Sequence, residues 1–270
     1  MTNQRRSRSA ILISILFSCL LACDATYSVL IPTPTMPVPT ETIAATAAPS
    51  ISQQLTLVSV PFVETNPGSN FPSYSITAQT PQLTGSDDPR VLAFNQRLSS
   101  LVTHEVDTYR QSFQELPITP NSNGSFLEAT YTIVSQIGDL WSFKFDFSFY
   151  ADSAAHPGLN SLTLNYDLAQ GRELALGDLF LPDSNYLAMI AQYCMDELRK
   201  QPFAESSALE GAQPTPENYR NWNIDPGGIL ITFDAYQVAP GAAGPQKILV
   251  PFSELVAVID PQGPLAAVLK

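Results

Sequence analysis

The sequence predicts an α+β fold in which antiparallel sheets have helices packed on one side, arranged as two successive, intimate lobes. Three observations predict this class. Residues 140–150 alternate aromatic and polar side chains, as in a strand with one buried face. Residues 89–113 and 185–200 have apolar residues at helical spacing. Strand-like runs flank both helical segments, so the second half of the chain repeats the order of the first.

The first lobe begins near Gln54 with two strand-like runs, LTLVSVPFVE and SYSITAQTPQL, joined by a loop of Gly, Asn and Pro. The helix that follows has Asp88 as a candidate N-cap and Pro89 in its first turn. Its apolar residues lie on one face: Val91, Phe94, Leu98, Leu101, Val102, Val106, Tyr109 and Phe113. This stripe predicts that the helix packs on a sheet.

The aromatic run LWSFKFDFSFY is the clearest strand signal. Phenylalanine occupies every second position: Phe143, Phe145, Phe147 and Phe149. Gly138 and Asp139 supply a turn from the preceding strand, which completes a hairpin. We expect the aromatic face of this hairpin to be buried against the first helix.

The second half of the chain repeats this pattern. A strand is predicted around Leu164, and a second helix has one apolar face: Leu187, Ile190, Ala191, Cys194 and Leu198. Cys194 is therefore predicted to be a buried small hydrophobe and not a reactive thiol. The runs GGILITFDAYQV and QKILVPFSELVAVI add two strands and a short closing helix.

The first 22 residues have the features of an export signal. Three arginines precede the apolar run Ala10–Ala22, which is too short for a comfortable membrane span. The run ends in Leu-Leu-Ala-Cys, which resembles the lipobox of bacterial lipoproteins, so Cys23 is expected to carry acyl chains. The alternative is an ordinary signal peptide with a chance cysteine. We expect an exported protein, lipid-anchored on the outer face of the cytoplasmic membrane, with residues 23–53 as a Pro/Thr/Ala-rich tether.

The charge balance is strongly acidic. The chain has 13 basic and 25 acidic residues, and removal of the signal segment would leave ten basic residues and a net charge of −15. This balance argues against a nucleic-acid partner and favours a basic protein. The alternative is that the acidic surface only maintains solubility. With Cys23 lipidated, Cys194 would have no disulfide partner.

Motifs for catalysis or cofactor binding are absent from the sequence. Two histidines cannot form the usual His-rich zinc site, and there is no cysteine pair, Walker A loop, dinucleotide glycine motif or nucleophile elbow. No metal, cofactor or catalytic residue is therefore predicted. His104 lies off the apolar stripe and is predicted to be solvated.

His156 is the one histidine with two competing interpretations. Pro157 and Gly158 place it beside a turn, where it can fix the loop through backbone hydrogen bonds. Alternatively, a carboxylate such as Asp152 or Asp178 could orient it as a general base. Asp178 equally suits a cap for the turn before the second helix.

Several segments together resemble a known family. They are AHPGLNSLTLNYDLAQGRELALGDLF, the helix from Asn185, and GGILITFDAYQVAPGAAGPQKILVPFSEL. These are similar to successive blocks of the RsiV-like C-terminal domain family, domain of unknown function 3298, preceded by its usual smaller companion domain. The resemblance covers most of residues 70–260 and implies an N-terminal lobe at 54–152 and the RsiV-like domain at 153–270.

The resemblance also implies a location and a role. In this family the domain lies outside the membrane, in lipoproteins, anti-sigma factors and cell-wall deacetylases. Catalysis in the deacetylases belongs to a separate domain, and in the anti-sigma factors the corresponding domain binds lysozyme. The expected role is an extracytoplasmic binding module for lysozyme-like proteins or cell-wall material such as peptidoglycan. The alternatives are a cell-envelope hydrolase that uses His156 with an acidic partner, and a purely structural envelope lipoprotein.

Two loops are expected to contact a ligand, Ala154–Asn160 and Val238–Pro245. The candidate binding residues in them are His156, Pro157, Gly158, Pro240, Gly241 and Gly244. Both loops depart from the family pattern. Ser-Ala-Ala-His replaces Gly-Gly-Ala-His at 153–156, and Pro-Gly-Ala replaces Pro-Tyr-Ala at 240–242.

Overall fold

The structure is a computed structural model. It describes residues 50–67, 72–113, 124–152, 154–202 and 206–269. The predicted signal segment, Cys23 and nearly all of the tether lie outside these residues, so lipid anchoring stays a prediction. One compact unit spans Ala48–Lys270. Within the described ranges, none of the helices has the length and apolar character needed to cross a membrane.

In the described part of the chain, nine strands form two sheets. The six-stranded sheet has its strands in chain order: β1 (Thr56–Asn66), β2 (Tyr74–Thr84), β3 (Ser125–Ile137), β4 (Leu140–Tyr150), β5 (Gly158–Asp167) and β6 (Arg172–Glu173). The three-stranded sheet comprises β7 (Trp222–Asp225), β8 (Gly228–Phe233) and β9 (Gln246–Pro251). The helices are α1 (Pro89–Ser112), α2 (Tyr186–Arg199) and the short α3 (Phe252–Leu255). The predicted α+β class is confirmed.

The pairing of β2 with β3 is parallel, whereas the sequence predicted antiparallel sheets. All other neighbouring strands pair antiparallel. Parallel neighbours require a long crossover connection, and α1 lies between β2 and β3 in the chain. A tight hairpin joins only antiparallel strands, such as β3 and β4 at the predicted Gly138 turn, where Gly138 has φ 59°.

The first helix forms as predicted. The Asp88 carboxylate accepts a hydrogen bond from the Arg90 N–H at 2.9 Å, which caps the helix, and Pro89 is its first residue. All of the predicted apolar stripe is buried except Leu101, which is half-buried. Phe94 is central to this packing, with ring centroids 4.5 Å from Tyr166 and 5.9 Å from Phe143. The aromatic face of β4 therefore packs on α1.

Two hydrophobic cores support the two lobes. One lies between α1 and the aromatic face of the large sheet and contains Trp141. The other lies between α2 and the three-stranded sheet and contains Trp222. Cys194 belongs to the second core, where burial raises the pKa of its thiol to about 12, and this confirms its predicted role as a buried hydrophobe.

The large sheet contains strands from both sides of the predicted lobe boundary, because β5 pairs with β4. The two cores divide further along the chain: apart from Leu140, the second core begins at Leu174, whereas the first ends at Leu168.

A buried polar seam joins the lobes. It consists of Ser142 on β4, Asn165 on β5 and the main chain of β7, and it lies on the face of the large sheet opposite α1. The Asn165 side-chain amide donates to the carbonyl of Trp222 at 2.8 Å. The Ile224 N–H donates to the Asn165 Oδ1 at 3.0 Å and the Ser142 Oγ at 3.1 Å. The second sheet is thus attached by hydrogen bonds that require particular side chains.

Candidate functional site

The loop before β5 presents His156 to solvent. Its Nδ1 lies 2.9 Å from the Pro157 carbonyl oxygen, which anchors the ring to its own loop. Its Nε2 lies 3.5 Å from the hydroxyl of Tyr236. These are its polar contacts among the described residues, so the structure places His156 in a contact between two segments 80 residues apart.

The carboxylates considered as partners of His156 make other contacts. The Asp178 Oδ2 accepts from Arg172 at 2.6 Å and from the Ala175 N–H at 2.9 Å, which confirms its predicted role as a cap. Partial burial acts to raise the pKa of Asp178, but these hydrogen bonds hold it below its ordinary value. The main-chain N–H of Asp152 donates to the Ser125 Oγ at 2.9 Å. The ring nitrogens of His156 contact a carbonyl and a hydroxyl, so Asp178 does not orient the ring.

Tyr236 is held in an uncommon conformation. Its φ is 69°, a left-handed value that bulky residues rarely adopt, and its side chain is 68% exposed. The turn is fixed by Gln237, whose Oε1 accepts from the Asp234 N–H at 3.0 Å and whose amide donates to the Gly211 carbonyl at 2.9 Å. An exposed tyrosine held in a strained turn is a candidate for function.

Gly241 makes room for the Tyr236 ring. A Cβ atom at position 241 would lie 2.0 Å from the Tyr236 Cζ, so only glycine permits this contact. The Tyr236 ring therefore lies where any side chain at position 241 would begin.

Phe149 covers Gly158 in a similar way. The two are direct partners across β4 and β5, and a Cβ at position 158 would lie 2.4 Å from the Phe149 ring. Phe149 was predicted to be buried, but it is 40% exposed because its cross-strand partner has no side chain to cover it. It also lines a groove of about 490 Å³ between α1 and strands β4 and β5.

The contacting rings of His156 and Tyr236 define an aromatic surface. Phe149 lines the groove beside α1 and is not part of it. Of the predicted residues, His156 forms this surface, Gly241 makes room for Tyr236, and Pro157 anchors the histidine. Pro240 and Gly244 flank a short 3₁₀ turn, and no described atom lies within 4 Å of a Cβ built on Gly244. The contact of Tyr236 with His156 and the exposure of Phe149 were not predicted, because no local sequence pattern indicates either. Within the described ranges, no group of three or more metal-binding side chains comes together.

Replacing Gly241 with alanine is expected to displace the Tyr236 ring and change the environment of His156. The reason is the 2.0 Å approach, which a tyrosine ring cannot tolerate. The imidazole resonances of the two histidines report this by NMR, and we expect His156 to shift while His104 does not. Gly227→Ala is the matched control, since a Cβ there makes ordinary contacts of 3.5 Å or more. Unchanged His156 resonances in Gly241→Ala would contradict this account of the contact.

Comparison with known proteins agrees with this fold. Residues 177–253 match the family model described as "Protein of unknown function (DUF3298)". A DUF3298 family structure from Bacteroides fragilis has a TM-score of 0.57 and 18% identity, covering 80% of this chain and 97% of that one. Another, from Pseudomonas aeruginosa PAO1, has a TM-score of 0.51 and 17% identity, covering 77% and 95%. The match to this family therefore covers residues 177–253, while the finer RsiV-like label stays a prediction.

Similarity to curated proteins covers part of their length. The chain is 28% identical over 168 residues to the peptidoglycan-N-acetylmuramic acid deacetylase PdaC of Bacillus subtilis, which is 61% of this chain and 36% of that protein. It is 28% identical over 100 residues to the immunogenic protein MPB64 of Mycobacterium bovis, which is 37% of this chain and 44% of that protein. The chain therefore spans less than half the length of these curated relatives.

Proposed function

We propose that the protein is a non-enzymatic binding module of the bacterial envelope, exported and held on the outer face of the cytoplasmic membrane by lipidated Cys23. The aromatic surface is the observation that carries this proposal. Two segments far apart in the chain present two exposed rings in contact, His156 and Tyr236. The ring nitrogens of His156 contact a carbonyl and a hydroxyl and not a carboxylate that would orient the ring for catalysis. Grouped exposed rings mark binding surfaces.

Cell-wall glycan is the first candidate ligand. The exposed ring of Tyr236 suits the C–H face of a sugar, and the similar protein PdaC is named for its action on peptidoglycan. The similarity extends over 61% of this chain. A glycan strand is long enough to contact both loops at once.

A basic, lysozyme-like protein is the second candidate ligand. The net charge of −15 expected after signal removal would attract such a protein at long range. That attraction is screened by salt, so binding by charge alone weakens at physiological ionic strength. Calorimetric titration with a basic lysozyme at low and near-physiological salt separates a specific interface from simple charge attraction.

The aromatic surface predicts that Tyr236→Ala weakens binding to peptidoglycan at least tenfold. The purified full chain in mild detergent is sedimented with isolated sacculi, and the bound fraction is measured against sacculus concentration. Tyr193→Ala, in α2 and away from the two loops, is the matched control and should bind as the wild type does. If the wild-type chain stays in the supernatant, the glycan proposal is wrong. Equal binding by the wild type and Tyr236→Ala would show that the aromatic surface does not bind the glycan.

A further inference from the structure

A separate cavity lies where the two lobes meet. Its volume is about 320 Å³, within the range of small-molecule sites. It is lined by β5, the segment 173–177, the first turn of α2 and residues 216–222. None of its lining residues belongs to the aromatic surface.

Trp222 gives this cavity an unmet hydrogen-bond donor. The residue is only 5% exposed, and its main chain is fixed: its N–H donates to the Thr163 Oγ1 at 3.1 Å and its carbonyl accepts from Asn165 at 2.8 Å. Its indole N–H, by contrast, has no acceptor among the described residues. The indole nitrogen is not one of the fully buried side-chain atoms that lack a partner, so it is open to solvent at the cavity wall and is available to donate to a ligand there.

Two tyrosines form rigid aromatic walls. The Tyr186 ring stacks on Phe180 with centroids 4.5 Å apart and planes 5° from parallel. Its hydroxyl lies close over Gly177, 3.1 Å from where a Cβ would be. Tyr219 is buried, and its hydroxyl donates to the Ala212 carbonyl at 2.7 Å. Tyr186 is half-buried and can contact a ligand without rearranging, whereas Tyr219, at 1% exposed, fixes the wall of the cavity.

The charged groups in the lining are already paired. Arg220 contacts Glu217 at 2.6 Å and Asp234 at 2.5 Å. Glu173 contacts Arg97 at 2.7 Å. With these charges neutralised, what remains for a ligand is an indole N–H and aromatic faces, which favours a neutral ligand over an anion or cation.

We propose that this cavity binds one neutral N-acetylated amino sugar of a glycan strand, with Trp222 donating its indole N–H to the acetamido carbonyl oxygen. The inference rests on the proposed function and names the sugar class that the module recognises. An N-acetylated sugar supplies the acceptor that the indole lacks and a C–H face for Tyr186. A sugar without the acetamido group lacks the amide oxygen and should bind much more weakly.

The wild-type chain provides the first test, because it has only two tryptophans. The full chain in detergent is titrated with diacetylchitobiose while the two indole N–H resonances are followed by NMR. We expect the Trp222 resonance to shift and that of Trp141, which donates to the Ser52 Oγ at 2.9 Å, to stay in place. Cellobiose lacks acetamido groups, so it should shift the Trp222 resonance only at concentrations at least tenfold higher than diacetylchitobiose requires. Unchanged Trp222 resonances at saturating diacetylchitobiose would overturn the inference.

Trp222→Phe provides the second test, since it keeps an aromatic ring and removes the donor. We expect at least a tenfold loss of affinity for diacetylchitobiose, with Trp141→Phe as the matched control. An unchanged affinity in Trp222→Phe would also overturn the inference. The sacculus assay separates this failure from failure of the proposed function. If the wild type binds sacculi and Tyr236→Ala does not, the proposed role of the aromatic surface holds, whatever the cavity binds.

Discussion

Replacing Asn165 with alanine is expected to lower the free energy of unfolding by about 3 kcal/mol, because it leaves several buried polar groups without partners. Asn165 is 2% exposed, and its side chain serves both lobes. Its Oδ1 accepts from the Ser142 hydroxyl at 2.7 Å and the Ile224 N–H at 3.0 Å, and its amide donates to Trp222. Water cannot replace these contacts without entering the seam.

Urea unfolding of the purified protein measures this loss. Asn185→Ala is the matched control, since Asn185 is exposed at the start of α2 and its side chain makes no capping hydrogen bond. We expect the control to lie within about 0.5 kcal/mol of the wild type. Equal stability of the two variants would show that the seam does not hold the lobes together.

The seam also explains where the two candidate sites lie. By holding the first residues of β7 against β5, it places Trp222 at the wall of the cavity between the lobes. The chain then passes through β8 to the turn that presents Tyr236 beside His156. Both sites therefore depend on attachment of the second sheet to the polar face of the first.

The elements that could be predicted from the sequence are those whose signals are local. The α1 cap at Asp88 needs only the two following residues, and the buried face of α1 follows from apolar spacing. The alternation of β4 likewise identified Phe143, Phe145 and Phe147 as buried. Asp178 caps a turn three residues away, which its sequence position allowed us to predict.

The features that could not be predicted depend on which segments become neighbours. Tyr236 approaches His156 from 80 residues away, and no local pattern in Asp-Ala-Tyr-Gln indicates this contact or the positive φ. The place of Trp222 at the cavity wall likewise depends on the contact of β7 with β5, which no local pattern indicates. Phe149 continues the pattern of its strand but is exposed, with Gly158 as its partner on the neighbouring strand. The glycines of the two predicted loops indicated that another group lies close to the backbone there, but the sequence does not identify that group.

Phe94→Ala is expected to lower the free energy of unfolding by about 3–5 kcal/mol, since it removes a fully buried ring and leaves a cavity. Phe94 is 0% exposed and contacts the rings of Trp141, Phe143 and Tyr166. Leu92→Ala in the same helix is the matched control, because Leu92 is 54% exposed. It should change stability by about 0.5 kcal/mol or less.

The same variant tests whether the two lobes unfold as one unit. Trp141 lies in the first core and Trp222 in the second. Two single-tryptophan backgrounds, Trp222→Phe and Trp141→Phe, therefore report the first and the second core separately by fluorescence. Because β5 pairs with β4 and the seam binds β7 to both strands, we expect Phe94→Ala to move both transitions to the same lower urea concentration. If only the Trp141 transition moved, the lobes would be separate folding units, and the cavity between them would open without loss of either core.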